Sequence, residues 1–197
     1  MEIDESLVFP IKLDLPGCLH VAGCDWFCRP EFHVTTFTPR DLAEALAVDV
    51  EALLHAGEQR REELTRRRVS GLTGALARVH AEDGRQTLVA FCDVAGLDDV
   101  YRRLSAAVGR SLPLPPTHVT RYTSQPGMKG IGISIPAHVA VRSTPLPEAD
   151  AAVLRGHLPH CVTRKPFCAG SRGRAPSSPR NGAVRRGALL PRGVGRR

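Results

Sequence analysis

A six-residue phrase occurs twice in this chain and constrains its fold more than any other feature. Residues 33–38 read HVTTFT, and residues 118–123 read HVTRYT. Valine, threonine and aromatic residues favour β-strands, so each copy is predicted to form a strand. Residues two apart on a strand point to the same face, which would put His33 beside Thr35 and His118 beside Thr120. Two such strands facing each other would form a symmetric site with two imidazoles and two hydroxyls.

This set of side chains favours phosphodiester chemistry. Histidine titrates near neutrality, so one of two apposed imidazoles can accept a proton while the other donates one. Threonine hydroxyls can donate hydrogen bonds to non-bridging phosphate oxygens, where charge sits in the transition state. Neither copy has a cluster of acidic residues nearby, so the sequence does not indicate a two-metal site. The alternative is that His-Val-Thr is ordinary strand sequence with no site attached.

On these residues the chain resembles the 2H phosphoesterase superfamily, whose members carry two His-x-Thr/Ser motifs on strands about half a domain apart. His33 and Thr35 match the first motif, and His118 and Thr120 match the second. The resemblance covers roughly residues 6–140. It implies an α+β, bilobed, pseudo-two-fold fold in which antiparallel sheets line a central cleft and helices lie outside.

The same resemblance implies a metal-independent phosphodiesterase without a cofactor. The implied substrate is a nucleotide or an RNA end: a 2′,3′-cyclic phosphate, a cyclic nucleotide or a 2′–5′ linkage. His33 and His118 would be catalytic, with His118 as base and His33 as acid, and Thr35 and Thr120 would bind the phosphate. A non-catalytic module that grips an RNA end or nucleotide in the same cleft, helped by a basic tail, is the alternative function.

The chain departs from the superfamily pattern just after each threonine. The family usually has an apolar residue there, whereas this chain has Thr36 and Arg121. Strand alternation directs both away from the cleft, towards the packing face. An arginine in that place requires either a partly exposed face or a partner.

Three aromatic side chains are candidates for contacts with a base or ribose. Trp26 lies in a predicted loop over 18–31, where it would either stack on a base or pack into the core. Tyr122 and Phe37 share the face of the histidines by alternation. They would either wall the pocket or fill the bottom of the cleft.

Lys129 is a further candidate because it follows the second hexad closely and precedes Gly130. A lysine beside glycines that permit close backbone approach can hold an anion, and the alternative is an ordinary hairpin lysine. The other predicted elements follow from hydrophobic periodicity and turn residues. They are strands at 6–15, 32–37, 73–80, 86–94 and 129–135, a helix from Thr38 to about His55, and a second helix over 97–108.

The net charge of +7 belongs to the end of the chain. Residues 155–197 hold eleven of the 27 Lys and Arg and no Asp or Glu, so the preceding 154 residues carry 16 basic and 20 acidic side chains. We therefore expect a catalytic domain over 1–142 and a basic Pro/Gly/Arg-rich tail over 143–197, with disorder over 169–197. The tail is either a basic arm for a polyanion or a non-native extension, for example from a shifted reading frame.

The chain has no apolar run near the ~20 residues of a membrane span and no secretory signal, so a cytoplasmic protein is expected. No feature specifies an oligomeric state. Cysteines in such a chain are expected to be free thiols. The alternative is a zinc-stabilised interaction protein built on a local group of potential ligands, namely Cys18, His20, Cys24 and Cys28.

Overall fold

The computed structural model describes residues 2–3 and 5–156. Nine strands are found there: β1 Glu2–Ile3, β2 Ser6–Ile11, β3 Cys18–Val21, β4 Cys24–Cys28, β5 Phe32–Phe37, β6 Val69–His80, β7 Gln86–Val94, β8 His118–Thr123 and β9 Ser143–Pro145. The same residues form six helices: α1 Pro39–Leu46, α2 Val50–Gln59, α3 Arg61–Thr65, α4 Leu97–Val108, α5 Pro136–Arg142 and α6 Glu148–Gly156. None of these six helices combines the length and the hydrophobicity that a transmembrane span needs.

The predicted α+β class is confirmed. The strands pair antiparallel in the order β1-β2-β5-β8-β7-β6-β9, and the β3–β4 hairpin joins this sheet through β4 and β8. The two hexads form β5 and β8, which are neighbours in the middle of the sheet. The strands predicted at 32–37, 73–80 and 86–94 and the helix predicted at 97–108 are confirmed. The strand predicted over 6–15 ends at Ile11.

The helix predicted to run from Thr38 to His55 is two helices. The chain takes a left-handed conformation at Ala47 (φ 51°), which ends α1. Asp49 then caps α2, because its carboxylate accepts hydrogen bonds from the backbone N–H groups of Glu51 and Ala52. The break lets α1 and α2 pack on the same buried cluster as α3 and α4, which includes Leu7 and Phe37 of the sheet.

The loop predicted over 18–31 is wrong for most of its length. Residues 18–28 form the β3–β4 hairpin, whose turn has positive φ at Ala22 (53°) and Gly23 (71°). Two successive residues with positive φ are the signature of the tight type I′ hairpin turn. An Ala-Gly turn is a weaker sequence signal than Asn-Gly, which is why composition alone indicated a loop.

The strand predicted over 129–135 is also wrong, since these residues have no ladder partner and lead into α5. Gly130 and Gly132 weaken the strand preference of the intervening isoleucines. Ile131 and Ile133 nevertheless share one buried cluster with residues of β6 and β7, while Ile135 belongs to the helical cluster. Residues 129–135 therefore form a strap across one face of the sheet.

The boundary placed after residue 142 is too early. Ser143 begins β9, which pairs with β6, and α6 then buries Ala151 and Leu154 against the sheet. The folded part of the chain thus includes residues 143–156. The disorder predicted over 169–197 and the role of the basic tail beyond residue 156 lie outside the described residues.

Candidate functional site

The four predicted site residues come together on one face of two adjacent strands. Val34 lies directly opposite Val119 in the antiparallel β5–β8 pair. This register puts His33 beside Thr120 and Thr35 beside His118, on the face opposite the two valines. The two histidines are then diagonal neighbours, roughly 7–8 Å apart at their backbones by general sheet geometry. Each imidazole thus has a hydroxyl from the other hexad next to it.

A β-bulge follows the threonine in each hexad. On β5, Thr35 is opposite Val8 but Phe37 is opposite Leu7, so Thr36 is an extra residue. On β8, Thr120 is opposite Val89 but Tyr122 is opposite Leu88, so the extra residue is Arg121. Thr36 and Arg121 hold the same position in the two copies. The repeat therefore extends from sequence to local backbone structure.

The bulges overturn the expectation that Phe37 and Tyr122 share the face of the histidines. An extra residue shifts the alternation, so Tyr122 lies opposite Leu88 on the face that carries Val119. Both aromatic side chains are fully buried in core clusters, Phe37 with α1–α4 and Tyr122 with α6. They fill the core and do not line the site.

The two bulge residues are anchored on the packing side, as alternation predicted. The Thr36 hydroxyl lies 3.0 Å from the Leu7 carbonyl and 3.2 Å from that of Leu64, so its single proton is shared between these two acceptors. Arg121 is almost completely buried and donates from Nη1 to the Leu154 carbonyl at 3.4 Å. This carbonyl belongs to the last turn of α6, where the helix dipole favours a cation. The partner that Arg121 required is therefore α6.

His118 is held in one orientation and one tautomer. Its Nδ1 lies 2.8 Å from the Pro116 carbonyl, which can only accept, so Nδ1 carries the proton. The Phe91 ring packs edge-on against the imidazole, with 6.3 Å between centroids. Burial lowers the pKa of His118 below its ordinary 6.5; the Pro116 carbonyl opposes this shift and the charge of His33 adds to it. His118 is consequently neutral near pH 7, with Nε2 available to accept a proton.

His33 differs from His118 in its surroundings. It is half-buried, and burial is the main cause that lowers its pKa below 6.5. The positive charge of Arg29 lowers the pKa further, while the carboxylate of Glu31 raises it. The sequence repeat is symmetric, but the electrostatic environment of the two imidazoles is not.

Arg29 was not singled out from the sequence, and it lies beside Gly130, which was named there only as the neighbour of Lys129. A Cβ placed on Gly130 would lie 2.9 Å from Arg29 Nη1 and 3.0 Å from Thr120 Oγ1. The strap, the Arg29 guanidinium and the Thr120 hydroxyl therefore meet at one point. No spacing motif links Arg29 to the second hexad; the link arises because β4, which ends just before Arg29, pairs with β8.

The remaining candidates do not join the four central residues. Trp26 is fully buried, donates from Nε1 to the Val21 carbonyl at 3.1 Å and has the Arg78 guanidinium 5.6 Å from its ring centroid. This is the packing role, and it leaves no surface for a base. Lys129 is exposed on the strap immediately before Gly130.

The cysteine-rich segment does not form a ligand cluster. Within residues 2–3 and 5–156, no group of three or more His, Cys, Asp or Glu side chains is arranged to hold a metal ion. His20 pairs instead with Asp25, with 2.8 Å between Nδ1 and Oδ1. The predicted free thiols are confirmed for the described cysteines, namely Cys18, Cys24, Cys28 and Cys92.

The chain matches no protein-family model, no curated protein and no solved structure at a significant level.

Proposed function

We propose that the chain is a metal-independent phosphodiesterase that acts on 2′,3′-cyclic phosphates, cyclic nucleotides or 2′–5′ linked RNA ends. The observation that carries this proposal is the placement of His33, Thr35, His118 and Thr120 on one face of the adjacent strands β5 and β8. The paired bulges at equivalent positions support a local two-fold relation between the hexads. The bilobed 2H phosphoesterase arrangement belongs to the same proposal.

The proposed reaction is hydrolysis by paired acid–base catalysis. His118 Nε2 takes a proton from water, and the resulting hydroxide attacks phosphorus. The bond from phosphorus to one ribose oxygen breaks, and protonated His33 supplies the proton that this oxygen needs to leave as a hydroxyl. Thr35 and Thr120 donate hydrogen bonds to the non-bridging oxygens as negative charge builds up on them. The products are a phosphomonoester and a free ribose hydroxyl.

The assignment of roles follows from the difference between the two imidazoles. A base must be neutral with a free lone pair, and the Pro116 carbonyl keeps the proton of His118 on Nδ1. Burial adds to this by lowering the pKa of His118. In the ligation direction the roles would exchange, as microscopic reversibility requires.

The decisive experiment is hydrolysis of a panel of 2′,3′-cyclic nucleotides in the presence of EDTA. Wild type is compared with His33→Ala and His118→Ala, and with His55→Ala, which removes an exposed histidine on α2 as a matched control. We expect wild-type and His55→Ala activity to survive chelation, and each site variant to lose about 10²–10⁴-fold. The position of the product phosphate identifies the ester bond that broke.

Retention of most of the activity in either site variant would refute the two-histidine mechanism. Binding of nucleotides without turnover in wild type would instead identify the non-catalytic binding module.

A further inference from the structure

The residue that follows β4 brings a positive charge to the site. The backbone N–H of Arg29 donates to the Arg121 carbonyl at 3.2 Å, which fixes its backbone beside the second hexad. Its charge is close enough to His33 to lower the pKa of that imidazole. Arg29 therefore stands beside residues from both copies of the hexad.

Gly130 shows which way the Arg29 side chain points. The position that a Cβ would take on Gly130 is in close contact with both Arg29 Nη1 and Thr120 Oγ1. The guanidinium and the hydroxyl thus both pack against Gly130, beneath the strap. Because Nη1 and Oγ1 each lie within about 3 Å of that position, they are no more than about 6 Å apart, so oxygens of one phosphate group can accept hydrogen bonds from both.

Arg29 also has an unused donor. In the described part of the chain, no carboxylate lies within ion-pair distance of its guanidinium, and its buried Nε has no hydrogen-bond partner. Arg40 on the surface pairs closely with Glu5 instead. A buried donor without a partner is costly, so the described residues alone do not satisfy all the donors of this guanidinium.

We propose that Arg29 is a substrate-binding residue whose guanidinium holds a non-bridging oxygen of a phosphate ester on the Thr120 side of the site. This inference rests on the proposed function, from which it takes the position of the phosphate. It adds Arg29 as the residue that supplies a permanent positive charge. It favours a ligand with an anionic phosphate group, since the charge-assisted hydrogen bond from a guanidinium to a phosphate oxygen is stronger than one to the neutral acceptors of a nucleoside. Gly130 lets the strap pass close to both groups, since the Cβ of any other residue would crowd Arg29 Nη1 and Thr120 Oγ1.

The test measures binding rather than turnover. Inorganic phosphate and adenosine 2′- and 3′-monophosphate are titrated calorimetrically into wild type, Arg29→Gln, Arg29→Lys and Gly130→Ala. Arg102→Gln is the matched control, because it removes the same charge from an exposed side chain on α4. Thermal unfolding of every variant reports whether the fold is intact.

We expect Arg29→Gln to lower the affinity for each phosphate ligand roughly 10- to 100-fold, in line with a hydrogen bond to a charged group. Arg29→Lys should fall in between, because lysine keeps the charge but loses the planar fork. Gly130→Ala should weaken binding without loss of stability, since the flexible arginine can move aside. Arg102→Gln should bind like wild type.

Wild-type affinity in Arg29→Gln would overturn the inference, and so would failure of the wild-type chain to bind any phosphate ligand at millimolar concentration. If Arg29→Gln does not fold, wild-type affinity in both Arg29→Lys and Gly130→Ala overturns it equally. Arg29-dependent phosphate binding without hydrolysis of any diester would leave this inference standing and refute the phosphodiesterase. Hydrolysis of a diester together with phosphate binding that does not depend on Arg29 would refute this inference and support the phosphodiesterase proposal.

Discussion

Thr36 and Arg121 occupy the same position in two β-bulges, one in each copy of the duplicated hexad. Each bulge places a site threonine and a core residue next to each other in sequence but on opposite sides of the sheet. Thr35 belongs to the site face, while Thr36 is bonded to carbonyls of the core side. A substitution of Thr35 should therefore change activity, whereas a substitution of its neighbour Thr36 should change stability.

The pair Thr35→Val and Thr36→Val tests this separation with the same chemical change. Thr35→Val should lower kcat/KM roughly 10- to 100-fold, because a hydrogen bond to a charged oxygen contributes about 1.5–3 kcal/mol. Its unfolding free energy should stay near that of wild type. Thr36→Val should leave buried carbonyls unpaired and destabilise the fold by about 1–3 kcal/mol, with little change in kcat/KM at a temperature where it is folded. Equal effects of both changes on activity would contradict the assignment of faces.

The tautomer of His118 is a second prediction, and it does not require a substrate. Nitrogen-15 NMR of the neutral imidazole should show a protonated Nδ1 and an unprotonated Nε2, since Nδ1 donates to the Pro116 carbonyl. The nitrogen-15 resonances of His55, which is exposed on α2, serve as the internal comparison for those of His118. A His118 resonance pattern with the proton on Nε2 would remove the argument that this residue acts as the base.

The pH profile of kcat/KM follows from the two lowered pKa values. If His118 is the base and His33 the acid, activity should fall at low pH as His118 becomes protonated and at high pH as His33 loses its proton. Both pKa values lie below the ordinary 6.5, so the maximum should lie on the acidic side of pH 6.5. Arg29→Gln removes one cause of the low His33 pKa, so its alkaline limb should move to higher pH. A wild-type maximum well above neutrality would contradict these roles, as would an unmoved alkaline limb in Arg29→Gln.

The role of α6 is testable with two neighbouring residues of that helix. Leu154 is 1% exposed and packs in the cluster that contains Trp26 and Tyr122, whereas Val153 is 46% exposed. Leu154→Ala should lower the free energy of unfolding by about 2–5 kcal/mol. Val153→Ala should change it by no more than about 0.5 kcal/mol. Denaturant titration measures both, and equal stability of the two variants would show that the folded domain does end near residue 142.

Much of the fold was predictable because its signals are local. The strands of the hexads, the β6–β7 pair and α4 follow from periodicity and turn residues, and the shared face of each His–Thr pair follows from strand alternation. An aspartate such as Asp49 can be recognised in a sequence as a helix N-cap. The apolar periodicity continues past it, however, so the sequence predicted one helix in place of α1 and α2.

The bulges were not predictable, because an extra residue is defined only by the register of the partner strand. This is why alternation misplaced Tyr122 and Phe37. Arg29 was missed for a related reason, since its proximity to Thr120 depends on pairing between strands that are far apart in sequence. Arg121 did carry a signal: a buried arginine needs an acceptor, and that acceptor lies in α6, beyond the expected end of the domain.

The two halves of the site come from strands separated by 85 residues and are joined where Val34 pairs with Val119. Closing so long a segment of chain is slow compared with forming a local hairpin, because the entropy of the segment is lost before the contact forms. During synthesis, the edge of β5 that pairs with β8 therefore stays unpaired until β8 has been synthesised. The four residues of the candidate site can come together only at that late step of folding, and a fragment that contains a single hexad would hold half of them.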